Sequence, residues 1–215
     1  MKNIEKNERR TEIICIIDRS GSMESVRYEA IIGLNQFMDE QRKLSEAADV
    51  TMVFFNNRTM TLYMGKPIVE VPWVTVSMYE PDGNTALLDA VGEVVEAAEL
   101  RQKALGDQSR IVKTIVCILT DGLENASTRY TQSDIKRLIS RKEEDGWDFI
   151  YLGAEQNARE EGSKIGIQEK FCIQFERTSQ STTEVFYEMS EIVCECRAVE
   201  EPNDFRLLPD EDDIP

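Results

Sequence analysis

The chain contains no histidine. That single absence removes every Ser-His-Asp or Cys-His nucleophile, every imidazole metal ligand and every imidazole proton shuttle. Cysteine is scarce, with five in 215 residues. An odd count in a chain of this length does not read as a disulfide framework. Cys15, Cys117 and Cys172 each lie inside an apolar run, as small core residues of a reducing compartment do, while Cys194 and Cys196 are too close for a C-x-x-C pair. Long hydrophobic stretches are missing as well. Nothing approaches the ~20 apolar residues that span a bilayer. The first residues, MKNIEKNERRTE, are charged and lack the apolar centre of a signal peptide. A cytoplasmic protein without a membrane partner is expected. Positive charge is also in deficit: 25 Lys and Arg against 41 Asp and Glu leave a formal net charge of -16. A field of that sign repels phosphate backbones and argues against a nucleic-acid partner.

What is present alternates. EIICIID (12–18) is a short continuous apolar run, the mark of a strand buried on both faces. Val26, Ala30, Ile31, Leu34, Phe37 and Met38 follow at helical spacing, to about residue 45. DVTMVFFN (49–56) reads as a second strand and RTMTLYM (58–64) as a third. Asn56-Asn57 suits a tight hairpin between them, which makes the third strand an antiparallel edge. Residues 65–84 carry Pro67, Pro72, Pro81 and Gly83 and read as a long connection. A helix is expected from Thr85, a long central strand over 110–121, and a Ser- or Thr-capped helix over 133–144. A strand over 147–153, a short helix over 157–165, a strand over 170–176 and a closing helix over 181–197 complete the pattern. The expected fold class is α/β: a doubly wound, mostly parallel six-stranded sheet with one antiparallel edge strand and helices on both faces. The expected organisation is a charged N-terminal segment (1–10), one domain (11–198) and an acidic tail (199–215) with the run DEDD.

Ligands of such sheets bind beyond the carboxyl ends of the strands, where the strand order reverses. The first strand ends in Asp18-Arg19-Ser20-Gly21-Ser22, the long strand ends in LTDG with Asp121, and the long connection ends in DGNTALLDA with Thr85. Two carboxylates and three hydroxyls, far apart in sequence, should therefore reach one crevice. Oxygen-only donors of low total charge suit a hard divalent cation that keeps some of its waters. Mg²⁺ is the first choice, with Mn²⁺ or Ca²⁺ as alternatives. The hydroxyls of Ser20, Ser22 and Thr85 are the direct ligands in this reading, with Asp18 and Asp121 direct or water-mediated. Blander readings exist. Asp18 or Ser20 could cap the following helix, Thr85 its own helix, and Asp121-Gly122 could be a plain turn. A nucleophilic serine is the sharper rival, but the G-x-S-x-G elbow is absent and no S-x-x-K follows either serine. Glu124 and Asn125 read as shaping their loop, Arg19 as a surface arginine, Asp82 as a surface acid and Asp89 as a helix-face acid.

DRSGSM, GNTAL and TDG together resemble the von Willebrand factor type A family and its metal-ion-dependent adhesion site. The resemblance spans about residues 11–198. GNTALLDAVG, TDGLENAS and GWDFIYLGA look like stand-alone bacterial members. Carried over motif by motif, it implies the metal ligands Asp18, Ser20, Ser22, Thr85 and Asp121, with no catalytic residue. It implies a protein-binding module, not an enzyme, in which a divalent cation bridges to an Asp or Glu side chain of a partner protein. Alternatives are a metal-dependent hydrolase and a regulatory or scaffold protein whose metal is purely structural.

Overall fold

The structure is a computed structural model that describes residues 9–106, 111–154 and 158–198. The charged segment up to residue 8 and the acidic tail from 199 lie outside the described residues. Six strands form one sheet: β1 (Arg10–Asp18), β2 (Ala47–Phe55), β3 (Thr59–Pro67), β4 (Ile111–Thr120), β5 (Trp147–Gly153) and β6 (Cys172–Gln174). Their order is β3-β2-β1-β4-β5-β6. All neighbours are parallel except β2 and β3, so β3 is the antiparallel edge. Among the described residues five α-helices accompany them: α1 (Arg27–Lys43), α2 (Leu87–Leu105), α3 (Gln132–Glu144), α4 (Ala158–Lys164) and α5 (Ser179–Ala198).

The continuous apolar runs explain the layering. Successive residues of a strand point to opposite faces. Ile13, Cys15 and Ile17 of β1 join one core cluster, with Leu34 and Phe37 of α1 and Phe186 and Met189 of α5. Ile14 and Ile16 join the other, with Val91 and Val95 of α2 and Ile135 and Ile139 of α3. Both faces of the sheet are thus covered. On the first face, α5 packs closely on α1 because residue 33 is glycine: a Cβ there would lie 2.1 Å from the Phe186 ring. All five cysteines are free, and only Cys194 is not buried. Trp147 is buried and stacks on Phe149, whereas Trp73 is exposed. Among the described residues no helix is long and apolar enough to cross a membrane.

Three local expectations need correction. The last strand has three residues rather than seven, because Glu169–Phe171 forms a 3-10 turn and regular pairing ends at Gln174, with the buried Phe175 adding one last N–H bond to the Gly153 carbonyl. The first helical segment opens as a 3-10 turn over Gly21–Val26, whose N-cap Ser20 makes no side-chain cap bond. The second helix begins at Leu87, with Ala86 and not Thr85 as its N-cap. By contrast, α3 has the expected cap: Thr131 and Asp134 form a reciprocal capping box.

The chain builds β2 after β1 on one side, then places β4 on the other side of β1. The order therefore reverses between β1 and β4, and a crevice opens beyond their carboxyl ends. The connection over 71–86 has little regular structure but is strapped in place. Asn35 exchanges two hydrogen bonds with Val74, at 2.8 and 2.9 Å, and Arg27 donates to the carbonyls of Tyr79 and Val76. Tyr79 is fully buried, edge-on to Phe54, and donates its hydroxyl to the Asp18 carbonyl. The end of this connection is thereby aimed at the crevice.

Candidate metal centre

Asp18 closes β1 and is fully buried. Its Oδ1 accepts the Ser20 N–H at 2.6 Å, and its Oδ2 accepts the Thr120 hydroxyl at 2.6 Å. The first bond folds the backbone back over the carboxylate, so the chain turns immediately after the strand. Arg19 N–H is held by the Phe55 carbonyl at 2.7 Å, which fixes the turn against β2. The turn brings the Ser20 and Ser22 hydroxyl oxygens 3.1 Å apart. Ser22 Oγ in turn donates to Asp121 Oδ1 at 2.6 Å. Ser20 and Asp121 are buried, while Ser22 is exposed, so the group is open to solvent on one side.

Thr85 arrives from the third segment. Gly21 N–H bonds the Gly83 carbonyl at 3.0 Å and Asp82 N–H bonds the Arg19 carbonyl at 2.9 Å, joining the two loops. Asn125 then brackets Thr85. Its side-chain oxygen accepts the Thr85 N–H at 3.0 Å, and its own N–H donates to the Thr85 carbonyl at 3.1 Å. A Cβ placed on Gly122 would meet Thr85 Oγ1 at 3.3 Å and Ser22 Oγ at 3.7 Å, so both hydroxyls border the same small space. The structure thus brings Asp18, Ser20, Ser22, Thr85 and Asp121 to one place.

No protein-family model matches the sequence, and no curated protein matches it. Solved structures do match. Proximal thread matrix protein 1 from the mussel byssus superposes with a TM-score of 0.64 at 16% identity, over 87% of this chain and 47% of the other. A von Willebrand factor type A protein from Catenulispora acidiphila gives 0.54 at 20% identity, over 85% and 42%. The manganese-loaded TRAP protein of Plasmodium vivax gives 0.58 at 15%, over 87% and 72%. The chain has a von Willebrand factor type A fold. It spans about half the length of the mussel protein, which has also been solved with a zinc-occupied adhesion-site motif.

Within this type A fold the site's support comes from residues with weak sequence signals. Thr120, directly before Asp121, donates its hydroxyl to Asp18, a role that a lone threonine at the end of an apolar run does not signal. Glu124 takes the capping role that Thr85 was expected to have: it accepts the N–H of Leu88 at 2.9 Å, and those of Ala126 and Ser127 at 2.8 and 2.7 Å. Asp89 is not a bare helix-face acid but accepts the N–H groups of Thr128, Arg129 and Tyr130, each at 2.9 Å. Together Glu124, Asn125 and Asp89 fasten the loop after β4 to the start of α2. Arg19 is half-buried and donates to the Glu80 carbonyl.

Electrostatics distinguish the site from the rest of the sheet. Burial pushes the Asp18 carboxyl up to about 6, despite the hydrogen bonds from Thr120 and Ser20, and the nearby Asp121 raises it further. Among the described residues no Lys or Arg forms an ion pair with Asp18. Nor do three Asp, Glu, Cys or His side chains converge there on any point able to hold a metal ion. A cation at this place would be held mainly by hydroxyls, with two acids. That donor set contains only oxygen, which fits a hard divalent cation and not a soft one.

Proposed function

We propose that the chain is a divalent-cation-dependent protein-binding module. In this reading Ser20, Ser22 and Thr85 hold the cation through their hydroxyl oxygens, with Asp18 and Asp121 as direct or water-mediated ligands. The observation that carries it is the meeting of three separate loops within one small oxygen-lined space: Ser22 Oγ lies 2.6 Å from Asp121 Oδ1 and 3.1 Å from Ser20 Oγ, and Thr85 Oγ1 borders the same position beside Gly122. When bound, the cation supplies a Lewis-acidic position that a partner's Asp or Glu carboxylate can complete. The chain's own residues do the rest. Thr120 and the Ser20 N–H hold Asp18 in one orientation, Asn125 fixes Thr85, and the exposed edge at Ser22 leaves an approach for the partner.

Mg²⁺ is the proposed ion, because hydroxyls and carboxylates are hard donors. The zinc-occupied and manganese-loaded structures that this chain resembles support a divalent ion in general. Several structural neighbours are matrix proteins or adhesins, which supports binding over turnover. We read the chain as cytoplasmic from its five free cysteines, which suit a reducing compartment, and as of the bacterial stand-alone kind from its motifs.

The test is thermal melting of the whole chain in Mg²⁺ and in EDTA. A ligand that binds only the native state at 100 times its Kd contributes about 2.7 kcal/mol. For a chain of this size that raises Tm by roughly 5–10 °C. EDTA should reverse the gain, and Ser20→Ala should abolish it. A gain that survives Ser20→Ala and Asp18→Ala alike would assign the ion elsewhere. Partner capture that persists in EDTA would make the ion structural.

A further inference from the structure

Three arginines border the candidate site, and they are engaged differently. Arg19 donates to the Glu80 carbonyl, and Arg27 to the carbonyls of Tyr79 and Val76, so both strap the long connection in place. Arg177 instead points its charge at the site itself. Its Nη1 lies 3.7 Å from Asp121 Oδ2, the oxygen not used by Ser22. Among the described residues it is the one basic side chain in an ion pair with any of the five candidate ligands. The two partners differ sharply in environment: the Asp121 side chain is fully buried, whereas that of Arg177 is 46% exposed.

The backbone around Arg177 is pinned on both sides. Phe175 N–H bonds the Gly153 carbonyl at 3.0 Å and its ring is buried. Beyond it, Glu176 N–H bonds Ser181 Oγ at 2.9 Å, and Thr178 accepts the N–H groups of Ser181 and Thr182 to open α5. A long side chain on a fixed, exposed base can leave a carboxylate without moving the fold. Held against Asp121, the guanidinium places a positive charge beside the position a divalent cation would take. Two cations on one carboxylate repel each other, so the arginine opposes entry of the ion and the bound ion favours its release.

We propose that Arg177 is a built-in counter-cation of the metal centre, which holds Asp121 until a divalent ion displaces it and thereby sets the affinity of the site. The proposal rests on the metal reading above and names a control on it that the five ligands do not contain. The binding energy of the ion is reduced by the ion pair it must break, and the exposed guanidinium is released into water at little cost. Metal entry is then a switch of charge at the rim: before it, Arg177 faces inward; after it, the same cation faces whatever approaches.

The test is calorimetric titration of Mg²⁺ alone into the full chain and two variants. Arg177→Gln should bind Mg²⁺ roughly fivefold more tightly than the parent at low ionic strength, the scale of a half-exposed ion pair. Arg177→Lys, which keeps the charge, should stay near the parent. The advantage of Arg177→Gln should shrink in about 1 M salt, where the Debye length falls to ~3 Å. Equal or weaker binding by Arg177→Gln overturns the counter-cation while leaving the metal site standing. Failure of all three proteins to bind Mg²⁺ removes the metal reading and the counter-cation with it.

Discussion

Strand β1 carries a buried acid at each end, and the chain treats them in opposite ways. Glu12, near the amino end, is fully buried and internally satisfied. It pairs with Arg101, accepts a hydrogen bond from Gln102 Nε2 at 2.7 Å and another from the Thr51 hydroxyl at 2.7 Å. Asp18, at the carboxyl end, is equally buried but is held by hydroxyls and a backbone N–H, from Thr120 and Ser20, with no basic side chain paired to it among the described residues. A buried carboxylate without a cation is costly, and it relieves that cost by taking up a proton. The amino end of the strand therefore carries a finished structural ion pair. The carboxyl end carries an acid whose charge the fold leaves to be matched from outside. In the proposed function, a divalent cation supplies the charge that this end lacks.

The largest effect should come from disturbing the finished end. Arg101→Ala strands the Glu12 carboxylate in the core, and breaking a buried pair in this way costs about 3–5 kcal/mol. Because Arg101 is itself 21% exposed, water relieves part of that, and a loss near ~3 kcal/mol is expected. Urea denaturation should report the same loss in Mg²⁺ and in EDTA. A loss that depends on Mg²⁺ would mean that the two ends are coupled and the contrast is false.

At the other end the effect should be conditional. The Asp18 pKa is raised from 3.8 to about 6 in the fold, so between those values the native state binds more protons than the unfolded chain. Metal-free stability should therefore fall as pH rises through that window, and level off above about 6. Mg²⁺ should stabilise most where Asp18 is ionised, and its contribution should fade as pH drops below about 6. Asp18→Asn should remove both the slope and the Mg²⁺ gain, about 2–3 kcal/mol at 100 times the Kd, without lowering metal-free Tm at pH 7. Tm measured from pH 4 to 8, with and without Mg²⁺, checks this. A Mg²⁺ gain that is flat across that range would detach Asp18 from the ion.

The contrast also shows what sequence can and cannot reveal. β1, β2, β4 and β5 are legible because a strand buried on both faces must be a short continuous apolar run. The hairpin at Asn56 is legible because its turn chemistry is local: the Asn56 side-chain oxygen accepts the Arg58 N–H at 3.1 Å. The five candidate ligands stand out because they cluster just beyond the apolar runs of β1 and β4 and at the end of the long connection, where a doubly wound sheet binds its ligands. The supporting contacts lie across sequence gaps that no periodicity encodes. Glu124 caps Leu88 from 36 residues away, and Asn125 brackets Thr85 from 40. A helix cap from a distant loop is invisible in the helix's own sequence, which is why Thr85 looked like the cap. Phe175 made β6 look longer than it is, because burial outside a ladder and burial within one leave the same apolar residue. The balance of charge at Glu12 and its absence at Asp18 are likewise properties of the assembled sheet.

The smallest expected change in stability should be the most selective for the site. Gly122 has no positive φ among the glycines that require one, so alanine fits its backbone. Its new methyl would sit 3.3 Å from Thr85 Oγ1, tighter than an ordinary contact, and 3.7 Å from Ser22 Oγ, which is comfortable. Thr85 must give way by a few tenths of an ångström, against the two Asn125 bonds that hold it. Removing a glycine also reduces the freedom of the unfolded chain, worth about 0.4–1 kcal/mol in the opposite direction. Gly122→Ala should therefore leave metal-free stability within about 1 kcal/mol of the parent. Its Mg²⁺ affinity should nevertheless fall, because a hydroxyl ligand displaced by tenths of an ångström no longer meets an ion that demands near-ideal octahedral geometry. The loss should be greater for Mg²⁺ than for Ca²⁺, whose longer and more flexible coordination tolerates the shift. Equal titrations of parent and variant with both ions would place Thr85 outside the coordination shell and leave the other four residues to account for the site.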